Sequence, residues 1–278
     1  LPFAGLRVVD VSQVWAGPYA TRLLADMGAE VIKVEGPTYP DPIRTMSGAH
    51  TVPEINQIPY FNEYGRNKLG VTLDLKQPEG VEALRRLIET ADVFIENWSS
   101  GVADRQGLGY ADVKRLKPDI VYVSMPGFGH VGSDASRIGF GPTIEQMGGL
   151  AALQGYAGRA PHRSAISYGD PIAGTTAAAG VALALLRRQR TGESAYVMVA
   201  QRDGVAGLIS EYVLGEVLGC PLPMRIGDRD SYFAPSNAYP ALDSAPRPIM
   251  DLNGNPIGSV QDRRSEEHTS ELQSRGLI

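Results

Sequence analysis

An aspartate flanked by glycine and proline is the strongest candidate for chemistry in this sequence. Asp170 stands in the segment Gly169-Asp170-Pro171, directly before an alanine-rich run that predicts a helix to about residue 190. Aspartate before proline at a helix start is typical of an N-cap. The positive end of the helix also favours a carboxylate, so we expect Asp170 to be ionised near neutral pH and available as a nucleophile. The residues alone leave a capping role and a chemical role open.

The other reactive side chains form no recognisable catalytic pattern. His50, His130 and His162 lie in predicted loops without metal-ligand spacing, and no Ser-His-Asp order is apparent. We interpret each as a surface or satisfied histidine and predict no metal site. Glu35 ends a predicted strand about 20 residues after the first loop, as a ribose-binding acid of an NAD enzyme would. That loop has Gly17 alone and lacks the G-x-G-x-x-G fingerprint, so Glu35 is interpreted as structural.

The composition is that of an ordinary globular protein. The 278 residues are 43% hydrophobic and 21% charged, and the net charge of −5 gives no indication of a nucleic-acid or anionic-membrane surface. Cys220 is the only cysteine, which argues against a disulfide framework and favours the cytoplasm. We find no apolar run that reads as a membrane span, and we expect no leader.

Strand-like and helix-like segments alternate along the first two thirds of the chain. Strands are predicted at 6–11, 29–35, 69–75, 92–96, 120–124 and 195–199, and helices at 19–27, 78–90, 111–116, 171–190 and 203–218. This alternation predicts an α/β fold with a mainly parallel sheet. Ligands of such folds bind beyond the carboxyl ends of the strands, which directs attention to the loops after residues 11, 35, 75, 96 and 124.

A change of composition predicts a domain boundary near residue 222. We predict a large domain over residues 1–222 and the truncated start of a smaller domain over residues 223–262, where Pro, Gly, Asp and Ser are frequent. Residues 264–274 resemble a translated sequencing adapter, so residues 263–278 are interpreted as a non-native tail without a role in the fold.

A series of motifs in fixed order resembles family III CoA-transferases, which include formyl-CoA transferase and the carnitine and bile-acid CoA-transferases. The motifs are VWAGP at 14–18, LADMGAEVIKVE at 24–35, NKLGVTLDLK at 67–76, ADVFIENWSSG at 91–101, GFG at 127–129, Gly169-Asp170 and Thr191-Gly192. The resemblance runs from the start of the chain to about residue 240, and its strength lies in the ordered series.

The resemblance implies a fold, an activity and an assembly. The fold would be a Rossmann-like large domain with a small second domain, in an interlocked homodimer. The activity would be exchange of CoA between an acyl-CoA and a carboxylic acid, with no permanently bound cofactor. Asp170 would be the nucleophile, passing through an aspartyl anhydride and an aspartyl-CoA thioester. Family members are longer, so this chain is expected to lack most of the small domain and its glycine-rich loop.

The resemblance also implies a CoA site. The matching positions lie in the first loop, at the end of the third predicted strand, and in the loop after the fourth, and they include two isolated arginines. They are Trp15, Ala16, Leu73, Asp74, Leu75, Lys76, Asn97, Trp98, Ser99, Arg105 and Arg137. Arg137 matches one residue out of register. Each basic residue is, from the sequence alone, also compatible with a solvated surface charge, and each tryptophan with a half-buried core aromatic.

Two alternatives to the transferase remain open at this stage. An α-methylacyl-CoA racemase needs two bases at the α-carbon, and Phe140 stands where a histidine would be expected. A non-catalytic fragment that at most binds nucleotide is the second alternative, because the chain resembles only part of its family.

Overall fold

The computed structural model describes residues 1–45 and 54–228. Its strands are β1 (Arg7–Asp10), β2 (Glu30–Glu35), β3 (Lys68–Thr72), β4 (Val93–Glu96), β5 (Val121–Ser124) and β6 (Ala195–Met198). Its α-helices are α1 (Ala16–Asp26), α2 (Pro59–Gly65), α3 (Pro78–Glu89), α4 (Val102–Arg105), α5 (Tyr110–Leu116), α6 (Gly141–Met147), α7 (Leu150–Leu153), α8 (Gly169–Thr191), α9 (Gln201–Leu208) and α10 (Ser210–Val217). Short 3-10 helices lie at Pro42–Arg44 and Glu54–Asn56.

The six strands form one parallel sheet in the order β3-β2-β1-β4-β5-β6. This arrangement confirms the predicted Rossmann-like α/β fold. The first strand pairs with β2 on one side and with β4 on the other, with Val9 opposite both Ile32 and Phe94. The strand order therefore reverses between β1 and β4, and the loops after these two strands flank the point where ligands of such sheets bind.

Alternate residues of the strands feed two apolar layers, one on each face of the sheet. Val8 faces the layer built by α1 and α8, and Val9 faces the layer built by α3 and α5. Helices α1 and α8 approach closely because α8 carries small residues at the contact. A Cβ atom added to Gly174 would lie 2.6 Å from Cδ1 of Tyr19, so a larger residue there would push the two helices apart.

Helix α8 is long enough and apolar enough to cross a membrane by length and composition alone. No such segment was predicted from the sequence. One side of the helix, which includes Ala173, Ala177 and Val181, is buried in the same layer as α1, as is typical of a core helix in a Rossmann-like fold.

Several helices differ from the predicted ones. Helix α1 begins at Ala16 rather than at Pro18. The helix predicted over 203–218 is two helices, α9 and α10, separated at Ile209. Helices α2, α4, α6 and α7 were not predicted. Helices α2 and α6 have a proline in the first two positions, Pro59 and Pro142, which is a sequence signal for a helix start.

The chain divides into two compact units. The first comprises Leu1–Ala151 and Arg163–Leu222, and contains the whole sheet; the second comprises Ala152–His162 and Pro223–Ile278. Within the described part of the second unit, Arg225 donates its backbone N–H to Leu153 at 3.0 Å and Gly227 donates to Gly155 at 2.9 Å. The assignment of residues 223–262 to a small domain stays a prediction, and the tail at 263–278 lies outside the described residues.

Candidate active site

Asp170 is the second residue of α8, and Tyr168 occupies the N-cap position. No side chain caps this helix, so the N-cap interpretation of Asp170 is wrong. The backbone N–H of Ala16, the first residue of α1, instead faces the Asp170 carboxylate and favours the ionised form. Asp170 therefore lies at the amino ends of two helices, both of which favour a negative charge.

Burial nevertheless dominates the titration of Asp170. Withdrawal from water raises the pKa of its carboxyl to about 6, and the backbone N–H of Ala16 offsets only part of that shift. From the sequence, the helix was predicted to keep this carboxylate ionised. The structure shows a raised pKa that still leaves most of the population ionised at pH 7. A half-buried carboxylate with this pKa and no cationic partner among the described residues is poorly solvated and thus reactive.

Asp170 lines a cavity of about 570 Å³, which we call the aspartate cavity. Its wall comes mainly from the loops after β1, β4 and β5 and from the segments that precede and begin α6 and α8, with further residues from the first 3-10 helix, α2, α4 and α9. The lining residues are Gln13, Val14, Trp15, Pro42, Ile43, Tyr60, Asn97, Trp98, Ser99, Val102, Gly127, Arg137, Ile138, Gly139, Phe140, Gly141, Pro142, Ala165, Ser167, Asp170 and Gln201. The cavity thus opens at the carboxyl ends of the strands, where the sequence analysis placed the ligand site.

The Asp170 carboxylate fits against a glycine. A Cβ atom added to Gly141, the first residue of α6, would lie 1.9 Å from Oδ2 of Asp170 and 2.7 Å from Cβ of Ser167. Any side chain at position 141 would therefore displace the carboxylate.

A second cavity of about 190 Å³ lies at the carboxyl ends of β2 and β3, and we call it the strand-end cavity. It is lined by Val11, Gln13, Val34, Glu35, Gly36, Thr38, Tyr39, Leu73, Asp74, Leu75, Lys76, Trp98 and Gln106. The ammonium group of Lys76 lies 3.7 Å from the centre of the Tyr39 ring, and both side chains are exposed. A lysine held in this way presents a positive charge at the mouth of the cavity.

Trp98 and Gln13 line both cavities and form the wall between them. Asn97 fixes this wall through two hydrogen bonds, because its side chain accepts from the backbone N–H of Gln13 at 2.8 Å and donates to the Gln13 carbonyl at 2.8 Å. These bonds join the loop after β1 to the loop after β4 across the point where the strand order reverses.

The structure brings most of the predicted CoA-site residues to these two cavities. Leu73, Asp74, Leu75 and Lys76 line the strand-end cavity, and Trp98 lines both. The aspartate cavity takes in Trp15, Asn97, Ser99 and Arg137, and Ala16 is buried beside Asp170. Arg105 is exposed on α4 and is not a lining residue of either cavity.

The two arginines of the prediction differ in their surroundings. Arg137 pairs with Asp134 at 2.7 Å, and Asp134 also pairs with Arg202 at 3.1 Å. Within the described residues no acidic side chain pairs with Arg105, which leaves its guanidinium available to a ligand.

An aromatic cluster beside the aspartate cavity was not predicted. The ring of Trp15 stacks on Tyr64 with centroids 5.3 Å apart and contacts Tyr60 at 5.7 Å, while Tyr19 meets the edge of Tyr64. Both Trp15 and Tyr60 line the cavity. The YFNEY sequence on α2 could have indicated this cluster, but α2 itself was not predicted because it follows directly on a polar loop.

A buried ionic network supports the first loop from behind. The Asp10 carboxylate accepts from Thr21 at 2.6 Å and from Lys68 at 3.2 Å, and Asp41 pairs with Lys33 at 3.1 Å. Asp41 also accepts the backbone N–H of Val14 at 2.8 Å, and Val14 has the left-handed φ of 66°. The loop that presents Ala16 to Asp170 is thus held in a conformation that is unfavourable for a β-branched residue.

The charges of this network compensate each other. Burial alone would raise the pKa of Asp10, but the charges of Lys33 and Lys68 outweigh burial and lower it to about 2. Burial lowers the pKa of Lys68 to about 8, which Asp10 only partly restores. For Lys33, the charges of Asp10 and Asp41 outweigh burial and raise its pKa.

His130 bridges two serines beneath the loop after β4. Its ring nitrogens lie 2.9 Å from Oγ of Ser100 and 2.8 Å from Oγ of Ser124, and burial lowers its pKa. Burial raises the pKa of Glu96, which accepts the backbone N–H of Trp98 at 2.7 Å, to about 7. Among residues 1–45 and 54–228, no group of three or more His, Cys, Asp or Glu could hold a metal ion. His50 lies outside these ranges.

Comparison with known proteins identifies the family. The model of CoA-transferase family III matches residues 3–250 of this chain. This chain belongs to CoA-transferase family III. The family III chain is 36% identical to a succinyl-CoA–D-citramalate CoA-transferase of Chloroflexus aurantiacus over 88% of its length, and 32% identical to an acetyl-CoA:oxalate CoA-transferase of Acetobacter aceti over 91%.

A solved structure agrees with this family III assignment. A CaiB/BaiF family protein from Brucella suis is 32% identical and superimposes with a TM-score of 0.78 over 86% of this chain and 63% of that protein. The chain spans 60% of the Chloroflexus enzyme and 64% of the Acetobacter enzyme, so it corresponds to about three fifths of such a protein.

Proposed function

We propose that the protein exchanges CoA between an acyl-CoA and a carboxylic acid, with Asp170 as the nucleophile. The observation that supports this most strongly is the position of Asp170: a half-buried carboxylate, with no cationic partner among the described residues, faces a large cavity at the strand ends of a family III fold. A permanently ion-paired carboxylate would be a poor nucleophile, whereas Asp170 is desolvated and ionised at pH 7.

The proposed chemistry proceeds in balanced steps. The Asp170 carboxylate attacks the thioester carbonyl, and the C–S bond breaks to give an aspartyl mixed anhydride and CoA thiolate. The thiolate then attacks the Asp170 carbonyl, which releases the first acid as its carboxylate and forms an aspartyl-CoA thioester. The second acid repeats these steps in reverse and leaves as the new acyl-CoA. The backbone N–H of Ala16, which faces the carboxylate, is placed to stabilise the oxyanion that forms on either carbonyl.

We propose that CoA extends over both cavities. Its thioester end would lie in the aspartate cavity against Asp170, and its nucleotide end would lie at the strand-end cavity, where Lys76 offers a cation to a phosphate group. Trp98, the wall between the cavities, would contact the pantetheine arm. Arg105 and Arg137 remain proposed phosphate contacts, and Arg137 would have to share its charge with Asp134.

The names of the relatives suggest the class of acid. The similar enzymes named above transfer CoA to D-citramalate and oxalate, and another from Agrobacterium fabrum, 31% identical, acts on succinate and glutarate. All of these are small dicarboxylates, so we propose a small dicarboxylic acid as one substrate. A panel of acids from oxalate to glutarate, compared with the matching monocarboxylates, tests this choice.

The proposed assembly is an interlocked homodimer in the cytoplasm, with a small domain that follows residue 222. Apolar side chains on the outer faces of α8 and α10 support an assembly, because Leu183 is 68% exposed and Val217 is 76% exposed. Sedimentation of the complete protein measures the oligomeric state.

The racemase alternative is disfavoured by Phe140. Its ring lines the aspartate cavity, and no histidine in the described part of the chain lines that cavity. A racemase needs a second proton acceptor there. Incubation of a 2-methylacyl-CoA with the complete protein in deuterium oxide distinguishes the two activities, because only a racemase incorporates deuterium at the α-carbon.

The central experiment compares two aspartates in the first turns of two helices. The complete protein is incubated with acyl-CoA and hydroxylamine, which converts an activated aspartate into a hydroxamate. We expect the wild type to be modified at Asp170, and Asp170→Asn to lose exchange by several orders of magnitude. Asp203→Asn on α9, where the side chain is exposed, is the matched control and should exchange normally. Normal turnover by Asp170→Asn would overturn the proposal.

A pair of lysines tests the nucleotide end of the site. Lys76→Ala should raise the KM for acyl-CoA about tenfold with little change in kcat, since one charge-assisted phosphate contact is lost. Lys114→Ala is the control, because Lys114 also lies over a tyrosine ring, that of Tyr110, but lines neither cavity. Equal KM values for the two variants would remove Lys76 from the site.

A further inference from the structure

A fully buried carboxylate lies near the proposed nucleophile. Glu145 on α6 is 0% exposed, and its two carboxylate oxygens accept three hydrogen bonds. The donors are the backbone N–H of Ser164 at 2.6 Å, the hydroxyl of Ser164 at 2.6 Å and the backbone N–H of Tyr168 at 3.3 Å. No lysine, arginine or histidine of the described residues pairs with it. Burial of a carboxylate is costly unless hydrogen bonds replace its lost hydration, and these three bonds do so while they tie Glu145 to the segment 164–168.

The segment that Glu145 holds leads directly into Asp170. Ser167 has a left-handed φ of 58°, donates its N–H to the Ser164 hydroxyl at 3.2 Å, and accepts the N–H of Asp170 at 3.1 Å. A left-handed residue other than glycine persists only where its neighbours determine the conformation. The bonds from Glu145 to both ends of the turn 164–168 supply that constraint.

The same helix also contacts the nucleophile from the other side. Gly141 at the start of α6 abuts Oδ2 of Asp170, and a Cβ atom added to Gly169 would lie 2.7 Å from Cγ2 of Ile144. Helix α6 therefore fixes the start of α8 by contact, through Gly141 and Ile144, and by hydrogen bonds, through Glu145.

We infer that Glu145 is a positioning residue for Asp170: it holds the turn 164–168 so that the Asp170 carboxylate stays between Ala16 and Gly141. Glu145 does not line the aspartate cavity, so it acts through the turn and not on the substrate. This inference rests on the proposed function for its kinetic consequence, but the geometry it asserts is independent of the reaction.

The test uses four variants of the complete protein. Glu145→Ala removes all three acceptor contacts, and we expect kcat to fall about 100-fold with a nearly unchanged KM, as is usual when a catalytic group is misplaced by about 1 Å. Glu145→Gln has the same shape and can still accept an N–H and donate to the Ser164 hydroxyl, so it should stay within about fivefold of the wild type. Ser164→Ala should lie between these two, and the exposed neighbour Gln146→Ala should behave as the wild type.

A chemical readout separates this inference from the proposed function. Labelling of Asp170 by a water-soluble carbodiimide and an amine, followed by peptide mass spectrometry, needs no enzymatic turnover. We expect faster labelling in Glu145→Ala than in Glu145→Gln, because the released side chain reaches solvent.

Each outcome of the labelling decides the inference. If the wild type does not transfer CoA but the labelling rates differ, the proposed function fails and the positioning role stands. If Glu145→Ala labels and turns over like the wild type, the inference is overturned. If Glu145→Ala does not fold, Ser164→Ala decides by the same two measurements, and wild-type values for it count against the inference.

Discussion

Asp10 is fully buried and Asp170 is half-buried, and the two aspartates have opposite surroundings. Asp10, at the end of β1, is enclosed by Lys33, Lys68 and two hydroxyl groups, and its pKa falls to about 2. Asp170 lies beside Gly141, Ser167 and the backbone N–H of Ala16 at the edge of a cavity, and its pKa rises to about 6. The charges next to a carboxylate therefore influence its pKa more than the extent of its burial does. A carboxylate fixed by cations stabilises the fold, whereas one without them remains free to react.

The largest expected effect is on stability at Asp10. Asp10→Asn leaves the ammonium groups of Lys33 and Lys68 buried without full compensation, so we expect the free energy of unfolding to fall by about 3–5 kcal/mol. Urea denaturation at pH 7 measures the loss. Asp26→Asn, which removes an exposed pairing with Arg66, should cost about 1 kcal/mol or less. Equal losses for the two variants would contradict the expectation that the buried charges around Asp10 stabilise the fold more than the exposed pair of Asp26 and Arg66.

Gly141 offers a way to disturb Asp170 without changing it. The Cβ atom of Gly141→Ala would lie 1.9 Å from Oδ2 of Asp170, so the carboxylate must move, and we expect CoA exchange to fall about 100-fold. The control is Gly207→Ala on α9, where nothing lies within 4 Å of the added atom and activity should be normal. Wild-type exchange in Gly141→Ala would show that the carboxylate does not need its present position.

The pH dependence of exchange reports the pKa of Asp170 directly. Attack needs the ionised carboxylate, so kcat should rise with pH and level off above about 6, falling about tenfold per unit on the acidic side. The 3′-phosphate of CoA also titrates at about pH 6, so 3′-dephospho-CoA thioesters serve as the control. A midpoint near 4 with both substrates would mean that Asp170 titrates like an exposed aspartate.

The smallest effect is expected on the stability of Asp170→Asn. The pKa of Asp170 is raised in the folded state, so ionised Asp170 opposes folding above pH 6, and this penalty disappears as the pH falls below the ordinary value of 3.8. Asp170→Asn should thus be as stable as the wild type or slightly more stable at pH 7, with no difference at pH 3.5. Thermal unfolding at both pH values measures this, and a large loss at pH 7 would assign Asp170 a structural role.

Much of the fold could be predicted from the sequence because its apolar segments are short, alternate and lie close together along the chain. The strands β1, β2, β4, β5 and β6 were predicted to within about two residues, an ordinary margin at element ends. Helices α2 and α6 were missed because each follows a polar, proline-containing loop and has little apolar periodicity. The break at Ile209 has no strong sequence signal, since no proline lies near it.

The site could be predicted only where a motif carries it. The resemblance gave the positions that line the cavities, such as Trp15, Asn97 and Lys76, because these follow strands whose ends meet. Glu145 and Gly141 carry no local pattern, and their contacts with the region around Asp170 depend on how α6 packs against α8. The raised pKa of Asp170 was also missed, since a sequence shows the helix end but not the degree of burial.

Because Trp98 and Gln13 separate the two cavities, together the cavities select a ligand by its length. Under the proposed function, a molecule binds well only if it is long enough to occupy both cavities at once. A free acid spans only one side, whereas a CoA thioester spans both, so the carrier is selected by reach and the acid by whatever fits beside Asp170. Enzymes built in this way can change their acid specificity during evolution while their contacts with CoA stay the same.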